Sequence, residues 1–271
     1  MVTYAGQGDP VRTMALLWGG PADAGSKPGP RPALTLDAVV AAAIGIADAD
    51  GLAEVSMRTV GARLGKSAMA LYTYVPSKAE LLDLMVDRLL ATADRDLPYD
   101  RGWRAAAEAS ARGGWEFHLR HPWLLHISGT RSVLGPHELD AYEAQLRVFA
   151  GLGLAGLDVA RLVGMLHTFV RGAAAAMAEA RAAERATGIS EDDWWTARAG
   201  YLEDIAKGPA YRERYPTITS LDQQAAFDVP QSDEPYLEQQ ARDTFEQGLA
   251  VLLDGMERFI ATRAADAGKA G

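Results

Sequence analysis

At 271 residues, with 48 % apolar and 23 % charged positions, the chain has the balance of a globular protein of one large or two modest domains. That balance excludes collagen-like, mucin-like and mostly disordered classes. No cysteine is present, which excludes disulfides, thiolate metal sites and cysteine nucleophiles and accords with a reducing cytoplasm. The net charge of −9 makes the whole chain a poor polyanion binder, so a nucleic-acid role requires a local basic surface.

Residues 1–33 hold eleven Gly and Pro, and this density predicts a flexible extension in which Met14-Ala-Leu-Leu-Trp18 forms one sticky island. That island is too short for a secretory signal, and no stretch reaches the about 20 apolar residues of a membrane span, so a cytoplasmic location is expected. From Leu34 the pattern becomes helical. Leu36, Val39, Val40, Ala43, Ile44 and Ala47 share one helix face, with Thr35 as cap and Gly51 as terminator. Ser56 caps a short second helix that turns Met57, Val60 and Leu64 inward, and Gly65 supplies a left-handed turn. A very short third helix spans 67–73 and stops at Val75-Pro76. Ser77-Lys-Ala-Glu80 then reads as a reciprocal capping box for a fourth helix carrying Leu81, Leu82, Met85, Val86 and Leu89.

Helical periodicity continues near 102–120, 137–150, 157–186, 190–206 and 236–264, with no strand signal. Residues 208–235, with four prolines, read as a long loop. The fold class is all-α. Its organisation is an extension (1–33), a three-helix helix-turn-helix domain (34–80) and a helical effector-binding and dimerisation domain (81–265).

Residues 56–73 have helix-turn-helix geometry, two short helices joined by a tight Gly-containing turn. On pattern alone an αα-hairpin without a nucleic-acid role fits as well. The wider run is more specific. Leu34 to Ile44, Gly51-Leu52, Ser56 to Gly65 and Ala70 to Leu82 resemble the DNA-binding domain of the TetR/AcrR family of transcriptional regulators. The Leu71-Tyr72 and Tyr74-Val75 pairs, and Lys78 before Glu80-Leu81-Leu82, fall at that family's spacings. His121 to Leu125, Gly135 to Leu139, Trp194-Trp195 and Gly248 to Met256 look like the C-terminal domain of a tetracycline-repressor-like subfamily. The resemblance implies a homodimeric repressor that sets residues 67–73 in a major groove and dimerises through a helical domain holding an effector pocket.

Local charge agrees. Through position 78 the seven cations Arg12, Lys27, Arg31, Arg58, Arg63, Lys66 and Lys78 nearly balance six acids, so the acidic excess lies beyond the DNA-facing segment. Arg58, Lys66 and Lys78 are assigned to phosphates, with base contact the alternative for Lys66. Ser67, Ala68, Met69 and Thr73 are assigned to base edges through thymine methyls and hydroxyl bonds, because no Arg, Asn or Gln offers a bidentate contact. Tyr72 and Tyr74 are assigned to phosphates, and Ser56 and Thr59 complete the candidate DNA set.

Other signals carry less. Gly151-Leu-Gly-Leu-Ala-Gly156 matches a dinucleotide fingerprint literally but follows a helix instead of a strand. His118 and His121 share a helix face without acidic partners at ligand spacing, so no metal or other cofactor is assigned. No catalytic constellation is legible, and the chain reads as a non-enzyme. The aromatic-rich C-terminal half offers Trp115, His118, Trp123, His126, Tyr142, Met165, His167 and Phe169 as candidates for an apolar effector pocket. The long helices 157–186 and 236–264 carry apolar faces suited to a four-helix dimer interface. The overall expectation is a ligand-released, dimeric repressor on a palindromic operator; the alternative is a helical enzyme or interaction module using the same cavity.

Overall fold

The structure, a computed structural model, describes residues 3–19, 34–227 and 234–270. The all-α expectation holds, since the described elements are helices apart from two two-residue strands. Two compact units divide the chain: Met1–Ala175 with Leu249–Gly271, and Ala176–Gly248.

In the first unit, α2 (Leu36–Asp50) begins where the Thr35 side chain accepts from the Ala38 amide and ends at Gly51. Val39, Val40 and Ala43 of α2 are buried in one core with Leu71, Val75, Leu81 and Met85. α3 (Met57–Arg63) and α4 (Ala68–Leu71) form the hairpin, and α5 (Lys78–Leu90) packs against α2. α6 (Trp103–Arg120), α7 (Pro136–Phe149) and the first part of α8 (Gly156–Thr187) build the helical domain, which a later part of α12 (Tyr236–Ala270) joins. The Gly151 to Gly156 segment connects α7 to α8, helix to helix.

The N-terminal segment departs from the expected extension. Thr3–Tyr4 (β1) pairs in parallel with Ile127–Ser128 (β2), and Pro10–Leu17 forms α1. One breaker there opens a helix: Asp9 caps α1 by accepting from the Arg12 amide, and Pro10 takes the first helical position, where its missing N–H is no loss. α5 holds this segment. Glu80 accepts from the Asp9 amide (3.0 Å) and Asp83 from the Gly6 amide (2.8 Å). A turn further on, Asp87 accepts from the His137 and Glu138 amides and so caps α7. The expected reciprocal box at Ser77 is therefore incomplete. Ser77 accepts from the Ala79 amide and its hydroxyl bonds Glu80, but Glu80 reaches the segment before α1 instead of the Ser77 amide. Residues 1, 2 and 20–33 lie outside the described residues.

The second unit holds the end of α8, α9 (Glu191–Ala206), α10 (Pro209–Arg214), α11 (Pro216–Asp222) and the start of α12. Residues 209–222 are helical where a loop was expected, because Pro209 and Pro216 again stand at helix starts. Residues 228–233 of that expected loop lie outside the described residues. The Leu237 amide donates to Glu191, and Arg181 pairs with Glu238 at 3.0 Å. No helix among the described residues is long and apolar enough to cross a membrane.

Candidate nucleic-acid interface and ligand cavity

The hairpin is set by three local devices. Ser56 and Thr59 form a reciprocal cap: the Ser56 side chain accepts from the Thr59 amide (3.1 Å) and the Thr59 hydroxyl from the Ser56 amide (2.9 Å). Gly65 turns the chain at φ +65°. Gly61 lets α3 touch the turn itself, since a Cβ there would stand 2.8 Å from the Lys66 carbonyl oxygen. Ser67 then caps α4, accepting from the Ala70 amide.

α4 is shorter than the expected 67–73 span. The Leu71 carbonyl accepts from both Tyr74 and Val75 amides, so the chain turns out of the helix after Leu71. Leu71 and Val75 are fully buried and fix the helix from beneath. Their burial leaves Lys66, Ser67, Met69, Tyr72 and Thr73 exposed, with Met69 75 % and Tyr72 44 % accessible. Arg58 and Lys78 are exposed nearby in sequence. Ala68 and Tyr74 are half-buried against the core, and Ser56 and Thr59 are half-buried and occupied with each other. The outward set is thus narrower than the eleven residues taken from the sequence. An exposed, unsupported Met at the tip of a short helix has no packing role in the protomer.

The helical domain holds a cavity of about 280 Å³ that opens to the surface. Its walls come from one face each of α6 (Gly113, Gly114, Phe117, His118), α7 (Gln145, Val148, Phe149) and α8 (Val163, Leu166, His167, Val170, Arg171), with Leu97, Leu124 and Ile127. Of the eight residues proposed for the pocket, His118 and His167 line it and six do not. On a helix the neighbour of a lining residue is turned by roughly 100°, which carries Trp115, Tyr142, Met165 and Phe169 to other faces. His126 is exposed. Trp123 is buried in the core of the DNA-binding half, and its indole donates to Asp48 of α2 at 2.7 Å. Small residues shape this wall: Gly113 faces open space, and Gly114 lets Val170 of α8 approach to 3.3 Å from where a Cβ would stand.

The polar corner of the cavity is His118, His167 and Arg171. His118 Nδ1 donates to the Gly114 carbonyl at 2.8 Å, which leaves Nε2 as an acceptor. Burial pushes the His118 imidazole down to about 4, and desolvation followed by Arg171 lowers His167. Both rings are neutral at pH 7. Arg171 donates to the carbonyls of Leu124 (3.3 Å), Leu125 (2.8 Å) and Ile127. Those carbonyls belong to the turn Pro122–His126 and to β2, the elements that also carry the contact to α2. His121 Nδ1 donates to the same Asp48 oxygen as Trp123, at 2.8 Å. Among the described residues no group of three His, Asp or Glu side chains is placed to hold a metal ion.

An outward-facing short helix in a helix-turn-helix and a cavity in the helical domain are the parts of a ligand-responsive, DNA-binding transcriptional regulator. Comparison with known proteins places it. A family model described as tetracyclin repressor-like, C-terminal domain, matches residues 97–260. The HTH-type transcriptional repressor DrrR1 of Streptomyces coeruleorubidus is 41 % identical over 263 residues, 96 % of this chain and 90 % of that one. The tetracycline repressor protein class A from transposon 1721 of Escherichia coli is 26 % identical over 226 residues, covering 81 % of this chain and 89 % of that one. Among solved structures, the TetR family protein ActR of Streptomyces coelicolor in complex with actinorhodin is similar with a TM-score of 0.64 and 26 % identity, over 84 % of this chain and 98 % of that chain. ActR in complex with (S)-DNPA gives 0.63 at the same identity, over 83 % of this chain and 98 % of that chain. The chain belongs to the TetR family of transcriptional regulators. With such relatives it is a regulator and not an enzyme.

Proposed function

We propose that the protein is a cytoplasmic homodimeric repressor that grips a palindromic operator and releases it when a mostly apolar or aromatic molecule fills the cavity. The observation that carries this reading is the exposure of Lys66, Ser67, Met69, Tyr72 and Thr73 on a helix held rigid by Leu71 and Val75. Such a surface suits a major groove: Met69 and Thr73 toward thymine methyls, Ser67 and Thr73 hydroxyls toward base edges, and Arg58, Lys78 and Tyr72 toward phosphates. A dimer must set two such helices roughly 34–36 Å apart. Leu157, Met165 and Val251, exposed on α8 and α12, support a partner there. The repressor sense follows from the likeness to DrrR1, a transcriptional repressor, and the ligand sense from the likeness to ActR in its ligand complexes.

The route from cavity to DNA is a chain of contacts. A ligand that pulls on Arg171 alters its hold on the carbonyls of 124–127. That segment bears on α2 through Asp48 and on the N-terminal segment through the β1–β2 pair, which α5 holds by Asp83 and Glu80. Ligand weakens DNA binding only by its differential affinity for the free form; couplings of about 1–3 kcal/mol change binding 5–150-fold.

Selection from random duplex DNA tests the reading. It is expected to enrich one inverted repeat whose binding a metabolite library contains a member able to reverse. Enrichment of no common sequence overturns it.

A further inference from the structure

The His118–His167–Arg171 corner has an unusual charge balance. Arg171 spends three of its five N–H donors on carbonyls and none on a carboxylate. Among the described residues, the charged groups that act on His118 are His167, Arg171 and His121; Arg171 alone acts on His167, and no acid acts on Arg171. Three acids, Asp94, Asp96 and Glu138, line other parts of the cavity, and none of them acts on His118, His167 or Arg171. Glu138 accepts from the Ser132 hydroxyl and the Leu134 amide, Asp94 accepts from the Asp96 amide, and the lining Arg95 pairs with Asp140. A half-buried guanidinium beside two neutral imidazoles, without a counter-ion, is an electrostatic deficit that an incoming oxygen anion would satisfy.

We propose that the cavity takes an aromatic acid, with its apolar body among Phe117, Phe149, Leu166 and Val170 and one acidic oxygen at the His118–His167–Arg171 corner. A carboxylic acid or a phenol engages one of the two polar groups in each of its protonation states. Its O–H donates to His118 Nε2 while neutral, and its oxygen pairs with the guanidinium when ionised. The flat body fits the room that Gly113 leaves open beside the lining face of α6. This inference rests on the cavity being the effector site.

Calorimetric titration of the full chain with naphthalene-2-carboxylic acid and with its carboxamide tests it, since the two share a shape and differ in charge. The acid is expected to bind at least about tenfold more tightly. Arg171→Met should bring the two affinities together. Because Arg171 also holds three carbonyls, His167→Glu supplies a second arm: it sets a carboxylate in the corner and should weaken the acid tenfold or more while sparing the amide. Equal affinities in the native protein, or no binding of either probe up to about millimolar, overturn the proposal. Operator release is measured separately. An acid that binds with this preference yet leaves DNA binding unchanged keeps the ligand class and removes the effector role.

Discussion

The amide of Gly6 donates to the carboxylate of Asp83 across 2.8 Å, and Asp83 itself is fully buried within α5. Its second oxygen has no hydrogen-bond partner among the described residues. Burial raises this carboxyl above its ordinary value of 3.8, against the lowering effect of the Gly6 bond. The folded chain therefore holds the Asp83 proton at higher pH than the unfolded chain does. Stability from this group is full below the unfolded value and is lost as pH rises through the raised one. Asp83→Asn keeps an oxygen for the Gly6 amide and removes the buried charge. It should melt above the native protein at pH 7, with the difference shrinking toward pH 4. Thermal melts across that range check this; a difference that grows on acidification contradicts it.

Gly61 sets a limit on the hairpin. Its absent Cβ would press on main chain at 2.8 Å, which a side-chain rotation does not relieve. Gly61→Ala should cost about 1–3 kcal/mol, in the range of overpacked cores. That corresponds to a fall of about 2–4 °C in Tm per kcal/mol. Calorimetry measures it, and an unchanged Tm would mean that the turn has room to spare.

Lys78 and Tyr72 separate charge from shape in DNA binding. Lys78→Ala should weaken binding to the selected operator and flatten its salt dependence by about one unit per protomer. Tyr72→Phe removes a hydroxyl and no charge, so it should weaken binding with the salt slope intact. Anisotropy titrations at several salt concentrations distinguish them; an unaltered slope in Lys78→Ala removes that residue from the phosphate contacts.

Asp48 joins α2 to His121 and Trp123 through a single oxygen. Asp48→Ala should leave ligand affinity close to native while reducing the ligand's effect on operator affinity. Ligand titration with and without operator DNA reads both. Full coupling in the variant would place the signal on another route.

The DNA-binding half was legible because its determinants are local. The Thr35 and Ser56 caps, the Gly65 turn and the inward Leu71 depend on neighbours within a few residues, and each stands where its spacing put it. The order of the N-terminal segment is not legible in the sequence, for the opposite reason. Its order comes from Asp83 and Glu80, more than seventy positions along the chain, which no composition count registers. The cavity misled in another way. Choosing aromatic residues picks the bulkiest side chains, whereas a cavity forms where small residues leave space, as Gly113 does on α6. A three-residue, four-residue spacing from Gly114 gives Phe117 and His118, so the lining face was recoverable from helix geometry. Arg171 escaped notice because its partners are carbonyls of a distant turn.

The absence of cysteine makes the most direct measurement possible, because a single introduced thiol can be labelled alone. Met69→Cys carrying a photoactivatable aryl azide, bound to the selected operator, should cross-link to bases in both half-sites, with the two positions about one helical turn apart. Tyr201→Cys, at another exposed position, should give none. Cross-links from Met69→Cys that are missing, or no more specific than those from Tyr201→Cys, would contradict recognition of DNA through α4.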